Sequence, residues 1–146
     1  RQFIDMPMLD ECYVAVGGAA TMNRAPIRTS RVTELSRARI ATTSPEALKA
    51  DSLDAFNRLS AASATSTYGG DCHNYALLAA GHVDIVLEDG LATHDIMGVV
   101  EVIRAAGGIV TDKTGAAVTM QGTKSLLAAS TPELHAAALA LAGKSG

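Results

Sequence analysis

Residues 68–112, YGGDCHNYALLAAGHVDIVLEDGLATHDIMGVVEVIRAAGGIVTD, read as strand, helix, strand, helix, strand. Gly69-Gly70 breaks the first strand, Asp71 is suited to cap the helix after it, and Gly81 is placed to end that helix in a left-handed conformation. Val83, Ile85 and Leu87 alternate with Asp84 and Val86 in the next strand, which ends at Glu88. Asp95, seven positions further on, starts a helix that runs to about Ala106 and stops at Gly107-Gly108. The two acids therefore fall where strand tips meet helix N-termini, the edge of an open α/β sheet at which ligands bind.

Upstream, residues 2–28 carry short β-rich runs broken by Pro7, Asp10-Glu11, Gly17-Gly18 and Asn23, the pattern of consecutive hairpins. Two or three antiparallel strands are expected there, and a ribbon of that size is marginal in water unless something covers it. From about Arg39 the texture changes. ARIATTS predicts a strand, Ser44-Pro45-Glu46 a helix start with Ser44 as N-cap, and Leu53, Phe56 and Leu59 a core-facing stripe. Downstream of IVTD come the Lys113–Gly115 turn, two further short strands, and a last helix opened by Thr131-Pro132-Glu133. The βα alternation predicts an α/β fold, a sheet flanked by helices. The organisation divides near residue 33, with an antiparallel ribbon over 1–33 and a complete α/β unit over 34–146.

At 146 residues and 48% apolar content, the chain is long enough to build a core without disulfide or metal staples. Cys12 and Cys72 are distant and form no C-x-x-C pair, which fits a reducing cytoplasm. No run of about 18 apolar residues suggests a membrane span, and no signal peptide is evident. A net charge of −3, scattered Lys and Arg, 3% aromatics and no Trp argue against a nucleic-acid surface.

Asp95 and Glu88 are the leading candidates for chemistry. An Asp at a helix start is most often a cap that complements the dipole, but Glu88 lies at the same sheet edge across a six-residue loop. Carboxylates of this kind suit Mg²⁺, which takes one or two of them and completes its shell with water and substrate oxygens. Gly69-Gly70-Asp71 is first a tight turn. Its glycines also let a ligand approach the backbone, and Asp71 can accept hydrogen bonds from a hydroxyl or ammonium group. His73, His82, His94 and His135 share no metal-ligand spacing and read as solvent-facing or packing residues, and Cys72 as a small core residue.

The stretches FIDMPMLDECYVAVGGAATMNRAPIRTS, ATTSPEALKADSLDAFNRL, YGGDCHNYALLAAGHVDIVLEDGL, HDIMGVVEVIRAAGG and LLAASTPELHAAALALA resemble, in order, the C-terminal half of the inositol-monophosphatase-like phosphatases. The GGDC and ATTSPE stretches resemble the histidinol-phosphate phosphatase branch. The resemblance implies that fold, with the ribbon as the remnant of an N-terminal domain. It also implies Mg²⁺ as cofactor, Asp95 as a metal ligand, and Gly69, Gly70, Asp71 and Glu88 as substrate-binding residues. His94 stands where the family usually has Trp or Tyr, and the family's first metal-binding glutamate and Asp-rich motif have no counterpart here.

The function implied by the resemblance is that of the C-terminal half of a Mg²⁺-dependent phosphomonoester phosphatase acting on histidinol phosphate, inactive alone. Alternatives are inositol-phosphate or sugar-phosphate specificity, or a catalytically silent α/β module. Expected partners are a small phosphomonoester, the missing N-terminal half or a second chain, and further copies in a homo-oligomer. Neither nucleic acid nor membrane is expected.

Overall fold

The computed structural model describes residues 2–6, 10–70, 72–89, 93–119, 123 and 125–143. Its first part is a four-stranded antiparallel sheet, β1 (Gln2–Met6), β2 (Glu11–Val16), β3 (Ala19–Met22) and β4 (Ala25–Pro26), paired in chain order. Two-residue turns make the last two connections. Gly17 and Gly18 take φ of 60° and 79°, Asn23 and Arg24 take 50° and 73°, the left-handed pairs whose twist matches that of the flanking strands. Asn23 is fixed from its side chain, which accepts from Cys12 N–H at 2.8 Å and donates to Asp10 C=O at 2.8 Å. That turn adds a fourth strand where two or three were expected.

A mixed five-stranded sheet follows, in the order β6 (Thr65–Tyr68), β5 (Arg39–Thr42), β7 (Ile85–Asp89), β9 (Ser125–Ala129), β8 (Ile109–Thr111). β5 is parallel to β6 and β7, while β9 enters antiparallel between β7 and β8. The helices are α1 (Ala50–Ala62), α2 (Cys72–Ala79), α3 (Thr93–Ala105) and α4 (Pro132–Ala142).

Ser44-Pro45-Glu46 does not open the first helix. Pro45–Ala47 is a single 3₁₀ turn, Ser44 makes no side-chain cap bond, and α1 begins at Ala50. A remote acid takes over instead, since Asp89 accepts the Lys49 N–H at 2.9 Å. At α4 the predicted cap does form, with Thr131 Oγ1 accepting from Leu134 N–H at 3.2 Å. Of the two strands expected after residue 115, one, β9, is found among the described residues.

Two cores sandwich the central sheet. On one face Val86, Leu126 and Ala128 pack with Tyr75 and Leu78 of α2 and Val100 and Ile103 of α3. The same cluster takes in Ile4, Tyr13, Ala15 and Ala20, so α2 and α3 cover the antiparallel sheet that the sequence left bare. On the other face Ile85, Leu87 and Leu127 pack with Phe56 and Leu59 of α1 and Leu134 and Ala138 of α4. Successive residues of β7 thus bury against opposite helix layers, as strands do when helices cover both faces.

Asp84, just before β7, is fully buried. Its carboxylate accepts from Arg39 Nε at 2.9 Å and Arg39 N–H at 2.8 Å, and from the Ser30 hydroxyl. Burial alone would raise this carboxyl; the bonds from Arg39 and Ser30 outweigh it and hold it below the usual carboxylate range. The pair locks the starts of β5 and β7 to the segment joining the two sheets.

Candidate functional site

The chain leaves β5 through α1 toward β6 and leaves β7 through α3 toward β8, so the two connections run apart from neighbouring strand tips. Such a divergence opens a crevice at the C-terminal ends of the strands. Glu88 lies in this crevice at the tip of β7, 6% exposed. It shares the strand face of Val86, toward α2 and α3.

A buried carboxylate needs donors. Thr43, the residue after β5, supplies two to a single oxygen: its N–H reaches Glu88 Oε1 at 3.0 Å and its hydroxyl at 2.7 Å. The Thr43 C=O accepts the Gly69 N–H at 2.6 Å. One threonine thereby ties together the tips of β5, β6 and β7, and holds Glu88 in a set orientation.

The loop after β6 is built for close approach. Gly69 and Gly70 have φ of 87° and 100°, which side chains rarely tolerate. A Cβ on Gly69 would meet nothing within 4 Å, whereas one on Gly70 would stand 2.6 Å from Asn74 Oδ1. Asn74, almost fully buried, donates from Nδ2 to the Gly69 C=O at 2.8 Å. The backbone at Gly69 is therefore open to solvent while the loop itself is braced from behind.

Asp71 lies outside the described residues. Asp95 is described through its backbone, which falls in the first turn of α3, at the same edge as Glu88 and Gly69-Gly70. Four of the five candidate positions thus converge on one edge of the sheet.

Among the described residues no group of three or more His, Cys, Asp or Glu is placed to hold a metal ion. Glu88 Oε1 is already engaged by two donors of Thr43, an arrangement suited to orienting the acid rather than to ligating a cation. The described residues do not by themselves compose a metal centre. On the other face of this edge, Lys113 Nζ contacts Asp51 Oδ2 at 2.7 Å and Ser52 Oγ at 2.8 Å, pinning the turn after β8 to the start of α1.

Sequence reasoning missed Thr43 and Asn74. Thr43 sits within ATTSPE and carries no signal of its own, because its partner is 45 residues away. Asn74 was more accessible, as a polar residue one turn into an otherwise apolar helix after a double glycine. His135 is buried and contacts Thr111 Oγ1 at 2.9 Å through Nε2, the packing role expected of it.

Residues 3–146 match the Inositol monophosphatase family. The chain is 38% identical over 128 residues to the bifunctional phosphatase IMPL2, chloroplastic, of Arabidopsis thaliana, covering 87% of this chain and 37% of that protein. It is 28% identical over 114 residues to a histidinol-phosphatase of Chlorobaculum parvum, covering 77% and 44%. A solved inositol monophosphatase from Zymomonas mobilis superposes with a TM-score of 0.92 at 30% identity, over 97% of this chain and 56% of that one. The extragenic suppressor protein suhB of Bartonella henselae gives 0.88 at 26%, over 99% and 56%. The chain therefore spans less than half the length of these curated relatives and a little over half of the solved chains.

Proposed function

This chain belongs to the inositol monophosphatase family, and from that premise we propose that it is the substrate-recognition part of a Mg²⁺-dependent phosphomonoester phosphatase acting on histidinol phosphate. The observation that carries this reading is the crevice between β5 and β7, where Thr43 orients buried Glu88 beside the open backbone of Gly69. Glu88 would accept a hydrogen bond from a substrate hydroxyl or ammonium group, and Gly69 and Gly70 would admit the organic part of the substrate. Asp71 would face the amine. Asp95 would give one carboxylate to Mg²⁺, whose chemistry when bound is to activate water toward a phosphate ester.

A two-ion centre needs more carboxylates than Asp95 supplies. We assign the remainder to residues outside these 146, on the motif missing from this sequence and the greater length of the relatives. On this reading residues 1–33 belong with that other part, residues 34–146 form the recognition domain, and the chain by itself turns over phosphomonoesters at background. Among the described residues no helix is long and apolar enough to cross a membrane. The two cysteines, distant in sequence, suit a reducing cytoplasm.

Inositol phosphate is the second reading, supported by the inositol monophosphatase from Zymomonas mobilis at 30% identity. The test is hydrolysis of histidinol phosphate and of inositol phosphate by an enzyme containing this sequence, with and without Asp71→Asn. The expected result is a loss on the amine-bearing substrate of about 1.5–3 kcal/mol, the scale of hydrogen bonds to charged groups, with a smaller loss on the polyol. Equal losses would make Asp71 a helix cap and favour the second reading.

A further inference from the structure

We infer that Asn74 is a positioning residue, which aims the backbone N–H of Gly70 at a hydrogen-bond acceptor of the substrate. This role rests on the proposed function and adds to it the kind of atom that the Gly69-Gly70 turn takes.

Three of the turn's backbone groups are spent within the protein. Gly69 N–H donates to Thr43 C=O at 2.6 Å, Gly69 C=O accepts from Asn74 Nδ2 at 2.8 Å, and Gly70 C=O accepts from His73 N–H at 2.8 Å. The Gly70 N–H has no partner among the described residues. Gly70 is exposed, so this donor is met by water and can exchange the water for a ligand atom.

Its direction is set from behind. Gly69 C=O and Gly70 N–H belong to one planar trans peptide and point opposite ways. Asn74, 4% exposed in the first turn of α2, holds that C=O, so the N–H faces away from the helix. The bonded partner is a carbonyl oxygen, which requires the Asn74 amide to present its Nδ2. Tyr75 and Ala76, both buried, root this turn of α2 in the core, and Asn74 Oδ1 leaves no room for a Cβ on Gly70. A donor already held in place loses less freedom on binding than one on a loose peptide.

Glu88 and the Gly70 N–H are opposite in kind, and Thr43 joins them, donating to Glu88 and accepting from Gly69. A carboxylate takes hydroxyl or ammonium protons. A backbone N–H takes a hydroxyl or phosphate oxygen or an unprotonated ring nitrogen, and an ammonium group offers it nothing. The Gly70 end therefore turns away the amine of an amine-bearing ester, which leaves that amine to the acids and fixes which way round the substrate lies. Histidinol phosphate and inositol phosphate both carry acceptors, so Asn74 serves either.

The test joins kinetics to backbone NMR on an enzyme containing this sequence, as parent, Asn74→Ala and Asn74→Asp. Both variants remove the donor to Gly69 C=O, and the second keeps the side chain's size in case the first fails to fold. KM for whichever of histidinol phosphate and inositol phosphate the parent hydrolyses should rise about two- to tenfold, the scale of one uncharged hydrogen bond. With kcat nearly unchanged, that rise marks lost binding rather than lost chemistry. In Asn74→Ala the order parameter of the Gly70 N–H should fall from about 0.85 to below about 0.6, while those of β7 stay in the rigid range. In Asn74→Asp the rise in KM relative to the parent should shrink at low pH, as the introduced carboxyl takes up a proton and regains a donor. An Asn74 that serves only stability would leave KM where it was. Parent turnover with KM unmoved in the variants, or a Gly70 N–H as rigid in Asn74→Ala as in the parent, overturns this role alone. Parent turnover of neither ester removes the proposed function, and this role with it.

Discussion

Thr43 donates both its backbone N–H and its hydroxyl to the same oxygen of Glu88, at 3.0 and 2.7 Å. Forty-five residues separate the partners in sequence, and two adjacent parallel strands bring them together. The pair sets the orientation of Glu88 at the tip of β7, and it can be tested without knowing the substrate.

Replacing Thr43 by Val keeps the size and removes the hydroxyl donor to a buried carboxylate. Urea unfolding should show a loss of about 1.5–3 kcal/mol, the cost of a hydrogen bond to a charged group. Thr43→Ser should recover most of it. A Val variant as stable as the parent would mean that Glu88 does not depend on this hydroxyl.

Gly69 and Gly70 separate conformational strain from steric clash. Gly69→Ala meets open space and should cost only the positive-φ penalty, about 1 kcal/mol, whereas Gly70→Ala adds a clash with Asn74 and should cost clearly more. Combining Gly70→Ala with Asn74→Ala should relieve part of that excess. Additive losses in the double variant would rule out the contact.

The ion pair of Asp84 and Arg39 governs the acid limb of stability. Asp84 has its folded carboxyl depressed, so its contribution is present above the unfolded value of about 3.9 and is lost as pH falls through the lower folded value. Asp84→Asn should flatten that limb. It should also cost about 1.5–3 kcal/mol at neutral pH, the scale of a hydrogen bond to a charged group, because Arg39 is itself partly exposed.

His135 acts in a higher window. Burial lowers its folded value, so as pH falls below the unfolded value of about 6.5 the unfolded chain takes up a proton that the folded chain refuses. Stability should decline with acidification from there, and His135→Gln should remove that part of the pH dependence. An unchanged midpoint-against-pH curve would show that the ring is protonated without cost.

Local signals carried a large part of the architecture. The β6–α2–β7–α3–β8 run, the Thr131 cap and the core stripe at Phe56 and Leu59 are all legible from short-range patterns, since turn chemistry and burial periodicity act over a few residues. The same logic misread Ser44-Pro45-Glu46, where the side chain makes no cap bond and a remote acid, Asp89, takes the Lys49 N–H instead.

By itself the sequence determined the α/β alternation, the family likeness, and the set of acids and glycines at one edge of the sheet, because each of these is written in contiguous residues. Only the tertiary structure decided their surroundings: Thr43 holding Glu88, Asn74 bracing Gly70, Arg39 neutralising Asp84, β9 entering between β7 and β8, and α2 and α3 covering the antiparallel sheet. These depend on strand register and on which faces are buried together. Both are settled when distant segments pack, by the need to pair every buried polar group and to cover every apolar face.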